Sequence, residues 1–381
     1  MLSESPSTQF NPEIKSALAL LGFSLAALVW ANSNGCLSYD QFWEFKFFDL
    51  SLRHTINHGW MTFFFFLVGL ELKRECLTGE LASIHRAILP LVSALGGMIV
   101  PATIYAGFTW GTPAMSGWGI PMATDIAFAL GALAFFGRKL PGSLRIFLTA
   151  LAVLDDLGSI VLIAFFYTQK INLWALTAAT LFAFLLWKVA KAGEPKLRHF
   201  ALLGFMLWLA LFKSGVQPTL AGVITAFAIP THLPALEKLE NFLKPWVNYG
   251  IIPAFAIANA GISFSNENSV QLLNPICMGV LFGLLIGKPI GILLFAFLGT
   301  QFNLTRLPHG VSWMQFAGVA ALGGIGFTVS IFVAQLTFTE NFLLSEAKLG
   351  ILLASFIATV AGGLALRVAS HLKLDSSLPI K

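Results

Sequence analysis

Four ionisable residues lie deep inside apolar stretches of this 381-residue chain: Asp125, Asp155, Asp156 and Lys288. Asp155 and Asp156 are neighbours in TALAVLDDLGSIVLIA (149–164), a run with no other charge. At the centre of a membrane helix each such group costs roughly 2.5–3.5 kcal/mol, so it is expected to face a polar interior and to serve a function there. Two roles are open to the set. A lysine and one aspartate can form a buried ion pair that fixes helix register, which absorbs two of the groups and leaves two acids over. Carboxylates in a dehydrated pocket can instead hold either a proton or a small hard cation through their oxygens, and the two then compete. Combined with access from alternate sides of a membrane, that competition is a complete exchange mechanism. Adjacent helical residues point about 100° apart, so Asp155 and Asp156 are expected to differ in role. One faces an ion cavity and the other reaches sideways to a cation such as Lys288.

The elements that carry these groups are read from hydropathy. With 57% hydrophobic and 11% charged residues and a mean hydropathy of +0.80, the chain is too apolar for a water-exposed surface, which predicts an all-α polytopic membrane protein. Apolar runs long enough to cross roughly 30 Å of hydrocarbon recur along it, and the ten-residue alternation of an outer-membrane barrel is absent. Twelve spans are expected, starting near residues 12, 58, 87, 114, 143, 172, 198, 215, 240, 274, 311 and 345, the seventh and eighth being short. Residues 1–11 are polar and carry no positive cluster, so the first span is expected to persist as a helix and not to be cleaved as a signal peptide. Placing both termini in the cytoplasm puts seventeen of the 23 Lys and Arg on that side, among them Lys73, Arg74, Arg86, Arg138, Lys139, Lys188 and Arg198. Positively charged loops stay inside, so the net charge of +5 is a topology signal and no nucleic-acid surface is expected.

Two spans read as broken. WGIPMATDIAFALG (118–131) holds Pro121 and Asp125, and ALGGIGFTVSIF (321–332) holds Gly323, Gly324 and Gly326. Such interruptions free backbone N–H and C=O groups that only protein or a wet cavity can satisfy, although a glycine cluster also serves close helix packing. They fall in the fourth and eleventh spans, the middle members of trios three to five and ten to twelve, as expected of inverted repeats with a site at their crossing. Lys288 lies in LLIGKPIGI, where Pro289 cannot donate to the carbonyl of Leu285 and a kink is expected. The one long polar connection, residues 33–57, has an aromatic core FWEFKFFDL that reads as an edge hairpin or an interfacial segment, either a partner surface or a packed lid.

Other chemistries lack their residues. Cys36, Cys76 and Cys277 are scattered, the seven His form no metal-binding spacing, and no phosphate loop occurs, so neither a resident metal, a disulfide framework nor ATP is expected. The alternative class is an intramembrane enzyme of the prenyl-transferase or aspartyl-protease type. The first wants two acid-rich clusters and the second acids on separate helices in Tyr-Asp and Gly-x-Gly-Asp settings, and neither pattern appears.

GLELKRE (69–75), ATDIAF (123–128), LDDLGSI (154–160), IGKPIGI (286–292) and GIGFTVSIF (324–332) together resemble the NhaA family of bacterial Na⁺/H⁺ antiporters, over nearly the whole chain. That family is itself a standard example of inverted-topology repeats, so the repeat expectation above is not independent of the resemblance. The resemblance implies twelve helices in an inner-membrane homodimer with cytoplasmic termini. It divides the chain into an ion-binding bundle over about 87–168 and 274–370 and an interface bundle over about 12–86 and 172–262, with a β-hairpin in loop 33–57 at the dimer contact. It implies exchange of two inward protons for one outward Na⁺ or Li⁺, without a cofactor. Asp156 would be the principal cation and proton carboxylate, Asp155 its partner alternating with Lys288, and Asp125 with Thr124 would sit at the helix crossing beside Gly324, Gly326 and Thr328. Asp125 would offset the positive helix ends and Lys288 the negative ones. For the pH response the family's acidic funnel maps to Glu71, Arg74, Glu75 and Glu240, but its histidine positions hold Gln217, Asn241 and Lys244 here, which do not titrate near neutrality. A weaker or shifted pH activation is therefore expected; the alternative is that the acids alone set the profile.

Overall fold

The structure is a computed structural model and describes residues 12–33, 39–47, 50–137, 140–166, 171–191, 196–230, 235–264, 271–308 and 310–375. Cys36, Arg138 and Lys139 lie outside the described residues. The longer helices are α1 (Pro12–Ala31), α2 (Met61–Leu77), α3 (Ile84–Thr109), α4 (Ile126–Phe136), α5 (Gly142–Phe166), α6 (Leu173–Ala190), α7 (Leu197–Ser214), α8 (Leu220–Ala228), α9 (Ala235–Trp246), α10 (Ile252–Asn259), α11 (Pro275–Phe282), α12 (Lys288–Gln301), α13 (Trp313–Gly323), α14 (Phe327–Thr337) and α15 (Asn341–Asp375); most begin within four residues of an expected start, α8 and α9 lie five residues from theirs, and no α-helix begins near residue 114. Seven described helices, with α11 and α12 counted as one, are long and apolar enough to cross a membrane, and nine if each of two bent pairs is one span. The chain is thus a multi-pass membrane protein. Segments α2, α8 and α9–α10 are shorter or more charged.

Local signals place several ends. Asn172 caps α6 through its side chain, Asn274 caps α11 just before Pro275, and Ser312 with Gln315 forms a capping box on α13. Gly215 closes α7 in the left-handed region at φ +84°, which a side chain would resist.

The two broken spans are where the sequence placed them. Pro113–Met122 joins α4 with a 44° bend, and α13 joins α14 with a 41° bend. The first half of the earlier span, however, is a 3₁₀ helix and not an α-helix. Pro121 sits inside it, and the break falls after it, over residues 123–125. Near Lys288 the expected kink takes another form, a π turn over Gly283–Gly287 that ends two residues before Pro289. Widening the turn there accommodates a proline that cannot donate in α register.

Packing separates two apolar cores. The larger joins α3, α5, α11–α15 and both broken spans with α1, α2 and α10; a smaller one joins α6, α7 and α8 to α2 through Leu70, Leu186, Phe200, Leu207 and Ile229. Against α3, helix α12 approaches backbone to backbone. A Cβ on Gly291 would lie 2.1 Å from the carbonyl oxygen of Gly96, so the pair of glycines is what lets the helices meet. That contact lies one turn from Lys288 and fixes its height in the bundle.

In loop 33–57 a short helix, Tyr39–Trp43, precedes a two-stranded antiparallel hairpin, β1 (Lys46–Phe47) and β2 (Leu50–Ser51), paired Lys46 to Ser51 and Phe47 to Leu50. Trp30, Tyr39, Phe42 and Trp43 pack ring against ring, and the Tyr39 hydroxyl donates to the carbonyl of Ile257 at 2.8 Å. The loop is therefore anchored to the bundle, while Phe45 and Phe47 stay largely exposed.

Candidate functional site

The unwound residues of the two broken spans lie against each other. The N–H of Asp125 donates to the carbonyl of Ile325 at 2.7 Å, and the Ser330 hydroxyl to the carbonyl of Ile120 at 2.8 Å. Two helices, α4 and α14, begin at this crossing, and each presents free N–H groups and a partial positive charge. The Asp125 carboxylate serves both: one oxygen accepts from the Phe128 N–H at 2.9 Å in α4, and the other from the Thr328 N–H at 3.1 Å and the Thr328 hydroxyl in α14. Two segments also end here, the Pro113–Met122 helix and α13, and expose carbonyls. The Lys288 ammonium donates to the carbonyl of Met122, and the Thr124 hydroxyl lies 2.9 Å from that of Gly323.

On α5 the two neighbouring acids have different surroundings. Asp155, fully buried, pairs with fully buried Lys288 at 2.9 Å. Its Oδ2 also lies 2.8 Å from the Thr124 hydroxyl. That hydroxyl has one proton and two acceptors, Asp155 and Gly323. When Asp155 is ionised they share it; a proton on Asp155 would let Thr124 accept from the acid and donate to Gly323 without conflict. Asp156 is 1% exposed, and neither carboxylate oxygen has a hydrogen-bond partner among the described residues. The Ser159 hydroxyl, less than a turn away, and Asp155 Oδ1 are also unsatisfied there. Buried polar groups are ordinarily paired, so unpartnered hard oxygens on one helix face form a place that a proton or a small hard cation satisfies. Among the described residues no cluster of three or more His, Cys, Asp or Glu suits a resident metal.

A cavity of about 420 Å³ leads to this crossing. It is lined by Asp125, Thr328 and Val153, Val153 lying three residues before Asp156 on α5, together with Glu71, Arg74, Glu75 and Lys244. Lys244 pairs with Glu240 at 2.7 Å and Glu71 at 3.2 Å, and Arg74 with Glu240 at 3.2 Å and Glu75 at 3.3 Å. The expected pH-response residues thus form one network along the cavity. Gln217 and Asn241 stay out of it: buried Gln217 lies 3.4 Å from Nδ1 of His58, and Asn241 is exposed on α9.

Gly324 and Gly326 lie at the break between α13 and α14, where added Cβ atoms would meet the carbonyl of Leu284 at 2.5 Å and the Ser330 hydroxyl at 2.3 Å. Sequence reasoning missed the carbonyls of Met122 and Gly323, because backbone atoms carry no residue signature. It also missed Ser159, although its one-turn spacing from the acid pair was visible.

The family model described as Na⁺/H⁺ antiporter 1 matches residues 7–366 of the chain. Curated relatives include Na⁺/H⁺ antiporter NhaA 1 of Syntrophotalea carbinolica, 44% identical over 366 residues that cover 92% of each chain. Na⁺/H⁺ antiporter NhaA 2 of Pseudomonas syringae pv. syringae is 45% identical over 366 residues, 94% of this chain and 93% of that one. Na⁺/H⁺ antiporter NhaA of a Shewanella species is 48% identical over 314 residues, 81% of each.

Proposed function

The chain belongs to the NhaA family of Na⁺/H⁺ antiporters, and on that premise we propose that it expels Na⁺ or Li⁺ from a bacterial cell in exchange for two inward protons per cation. It is a transporter and not an enzyme, so the prenyl-transferase and protease alternatives are set aside. The observation that carries the reading is Asp156, buried with both oxygens unpartnered among the described residues beside an Asp155 already paired to Lys288.

From the cavity the cation reaches Asp156 and displaces its proton; Asp155 and Ser159 supply the neighbouring oxygens. The second proton belongs to the Asp155–Lys288 pair, whose ion pair loosens as Asp155 turns to the cation. Asp125 holds the positive starts of α4 and α14 together and Lys288 answers the exposed carbonyl end at Met122, so the crossing stays intact as charge changes beside it. Two protons in for one monovalent cation out moves net charge, so membrane potential drives the cycle. Twelve spans in two inverted trios, with both termini cytoplasmic in the inner membrane, supply the alternating access. Residues 87–168 and 274–370 form the ion-binding bundle, and residues 12–86 and 172–262 the interface bundle. The β1–β2 hairpin of loop 33–57, with its exposed Phe45 and Phe47, pairs two copies in a homodimer.

In inside-out vesicles holding a pH gradient, added Na⁺ or Li⁺ is expected to dissipate the gradient while K⁺ does not. No response across a wide pH range would sink the reading. The Lys244 network is proposed to set the pH response: with the parent as control, Lys244→His is expected to move the pH midpoint of exchange, because an imidazole between Glu71 and Glu240 changes charge near neutrality. An unchanged midpoint would assign the profile to the acids alone.

A further inference from the structure

Three neutral amides close a ring at the end of the bundle opposite the charged cavity. Asn57 Nδ2 donates to Gln335 Oε1 at 2.7 Å, Gln335 Nε2 donates to Asn259 Oδ1, and Asn259 Nδ2 donates to Asn57 Oδ1 at 2.8 Å. Around the ring each side chain donates to the next and accepts from the one before, and Asn259 Nδ2 also donates to the carbonyl of Phe255 at 2.9 Å, so removing any member opens the ring and costs its two neighbours one bond each. The ring joins three separate elements: the π turn Thr55–Trp60 that leads into α2, the end of α10 and the end of α14.

The same three elements repeat the pattern one layer deeper. Phe65 of α2, Phe255 of α10 and Phe332 of α14 are all buried, and Phe332 packs on Phe65 at 5.2 Å and on Phe255 at 6.1 Å between ring centroids. Deeper still, the cavity begins, lined by Val68 of α2, Ile252 of α10 and Val329 and Thr328 of α14. Along α10 and α14 the order from the ring inward is therefore amide, phenylalanine, cavity wall, and along the π turn and α2 it is Asn57, then Phe64 and Phe65, of which Phe64 already borders the cavity, then Val68. The cavity reaches Asp125 and Thr328 at the crossing, and on the far side of its Val68, Ile252 and Val329 wall lies an aromatic layer capped by a closed amide ring. Gln335 also stands seven residues, two helical turns, from Thr328, which holds Asp125.

We propose that Asn57, Asn259 and Gln335 are the latch of the second gate, closed while the cavity is open and broken once in each transport cycle. The proposal rests on the exchange reading above. A ring of amides suits a gate because it carries no charge and so closes the route without trapping the cation. Its bonds are each modest enough to exchange for water when the elements part. Since α14 bears both Gln335 and Thr328, movement at the crossing reaches the latch through one rigid helix.

The test uses the full chain with its three cysteines replaced by serine and carrying Asn57→Cys with Gln335→Cys. Oxidation to a disulfide, verified by thiol counting, is expected to reduce Na⁺-driven exchange in vesicles roughly tenfold or more, and dithiothreitol to restore it, because a gate that moves in every turnover sets its rate. A cross-linked protein that exchanges at the reduced protein's rate overturns the latch. A second arm needs no transport: a single Phe332→Cys is probed with a membrane-impermeant thiol reagent on the side opposite the cavity, with and without Asn57→Ala. The ring's loss is expected to speed labelling several-fold, and unchanged labelling overturns the proposal. If the cysteine-free parent does not exchange Na⁺ for protons at all, the exchange reading fails, and the labelling arm still decides the latch.

Discussion

Asp156→Asn is expected to abolish cation-driven proton exchange, a loss of roughly 100-fold or more, while leaving the protein folded. The substitution keeps the shape of the side chain and removes the charge proposed to attract the cation and the group proposed to carry its proton. An amide in its place can coordinate weakly but cannot trade a proton for an ion. No described side chain or backbone group bonds to the Asp156 carboxylate, so the change breaks no hydrogen bond seen in the fold. It also relieves a buried charge. Thermal unfolding in detergent should therefore stay within about 1 kcal/mol of the parent or rise. A variant that keeps more than a tenth of parental exchange would show that Asp156 is not the exchanging group. A variant that unfolds would show that its carboxylate is a structural partner.

The second large effect is on stability. Lys288→Met leaves Asp155 buried without its ammonium, and Asp155→Asn leaves Lys288 without its carboxylate. Each single change is expected to cost about 3–5 kcal/mol, because the uncompensated charge and not the lost attraction dominates. The double variant should be less destabilised than the sum of the singles by about 1–3 kcal/mol, since no orphaned charge remains. The recovery should be incomplete, because Lys288 also donates to the carbonyl of Met122, an acceptor that methionine cannot serve. Strictly additive losses in a thermal-unfolding cycle would contradict a direct pair. Asp155→Asn is further expected to retain some exchange with altered coupling, in contrast to Asp156→Asn.

The places where the sequence spoke clearly are those where residue type alone breaks a rule of the bilayer. Charges inside apolar runs marked Asp125, Asp155, Asp156 and Lys288, and proline and glycine inside spans marked both breaks. Adjacent helical positions told the two acids apart, though not which would face the lysine; the resemblance named Asp155, and Asp155 is the one lying against Lys288. Local winding was not legible. The 3₁₀ segment Pro113–Met122 and the π turn Gly283–Gly287 lie in stretches apolar on nearly every face, so no stripe distinguishes one helical period from another, and the π turns Thr55–Trp60 and Val247–Ile251 are too short to show a period of their own. The exposed carbonyls at Met122 and Gly323 were invisible for want of a side-chain code. Asn57 and Gln335 are 278 residues apart, the first at the end of a polar loop and the second near the end of an apolar run. Only folding brings them together. Of the three positions where histidine was expected, Lys244 alone lies in the charged network, as its charge and its i,i+4 spacing from Glu240 already suggested, while Gln217 and Asn241 carry no charge to pair.

The proposed exchange mechanism turns on a proton and a cation competing for one buried carboxylate. Its most direct measurement is the equilibrium binding of Li⁺ or Na⁺ to purified protein across a series of pH values, with proton release followed in weakly buffered solution. Competition predicts that binding weakens as pH falls, by roughly tenfold per pH unit for each competing proton over the range where the site titrates, and that cation addition releases protons. In Asp156→Asn both signals should vanish. A binding constant that does not change with pH, or cation-induced proton release that persists in Asp156→Asn, would contradict the exchange mechanism at its centre.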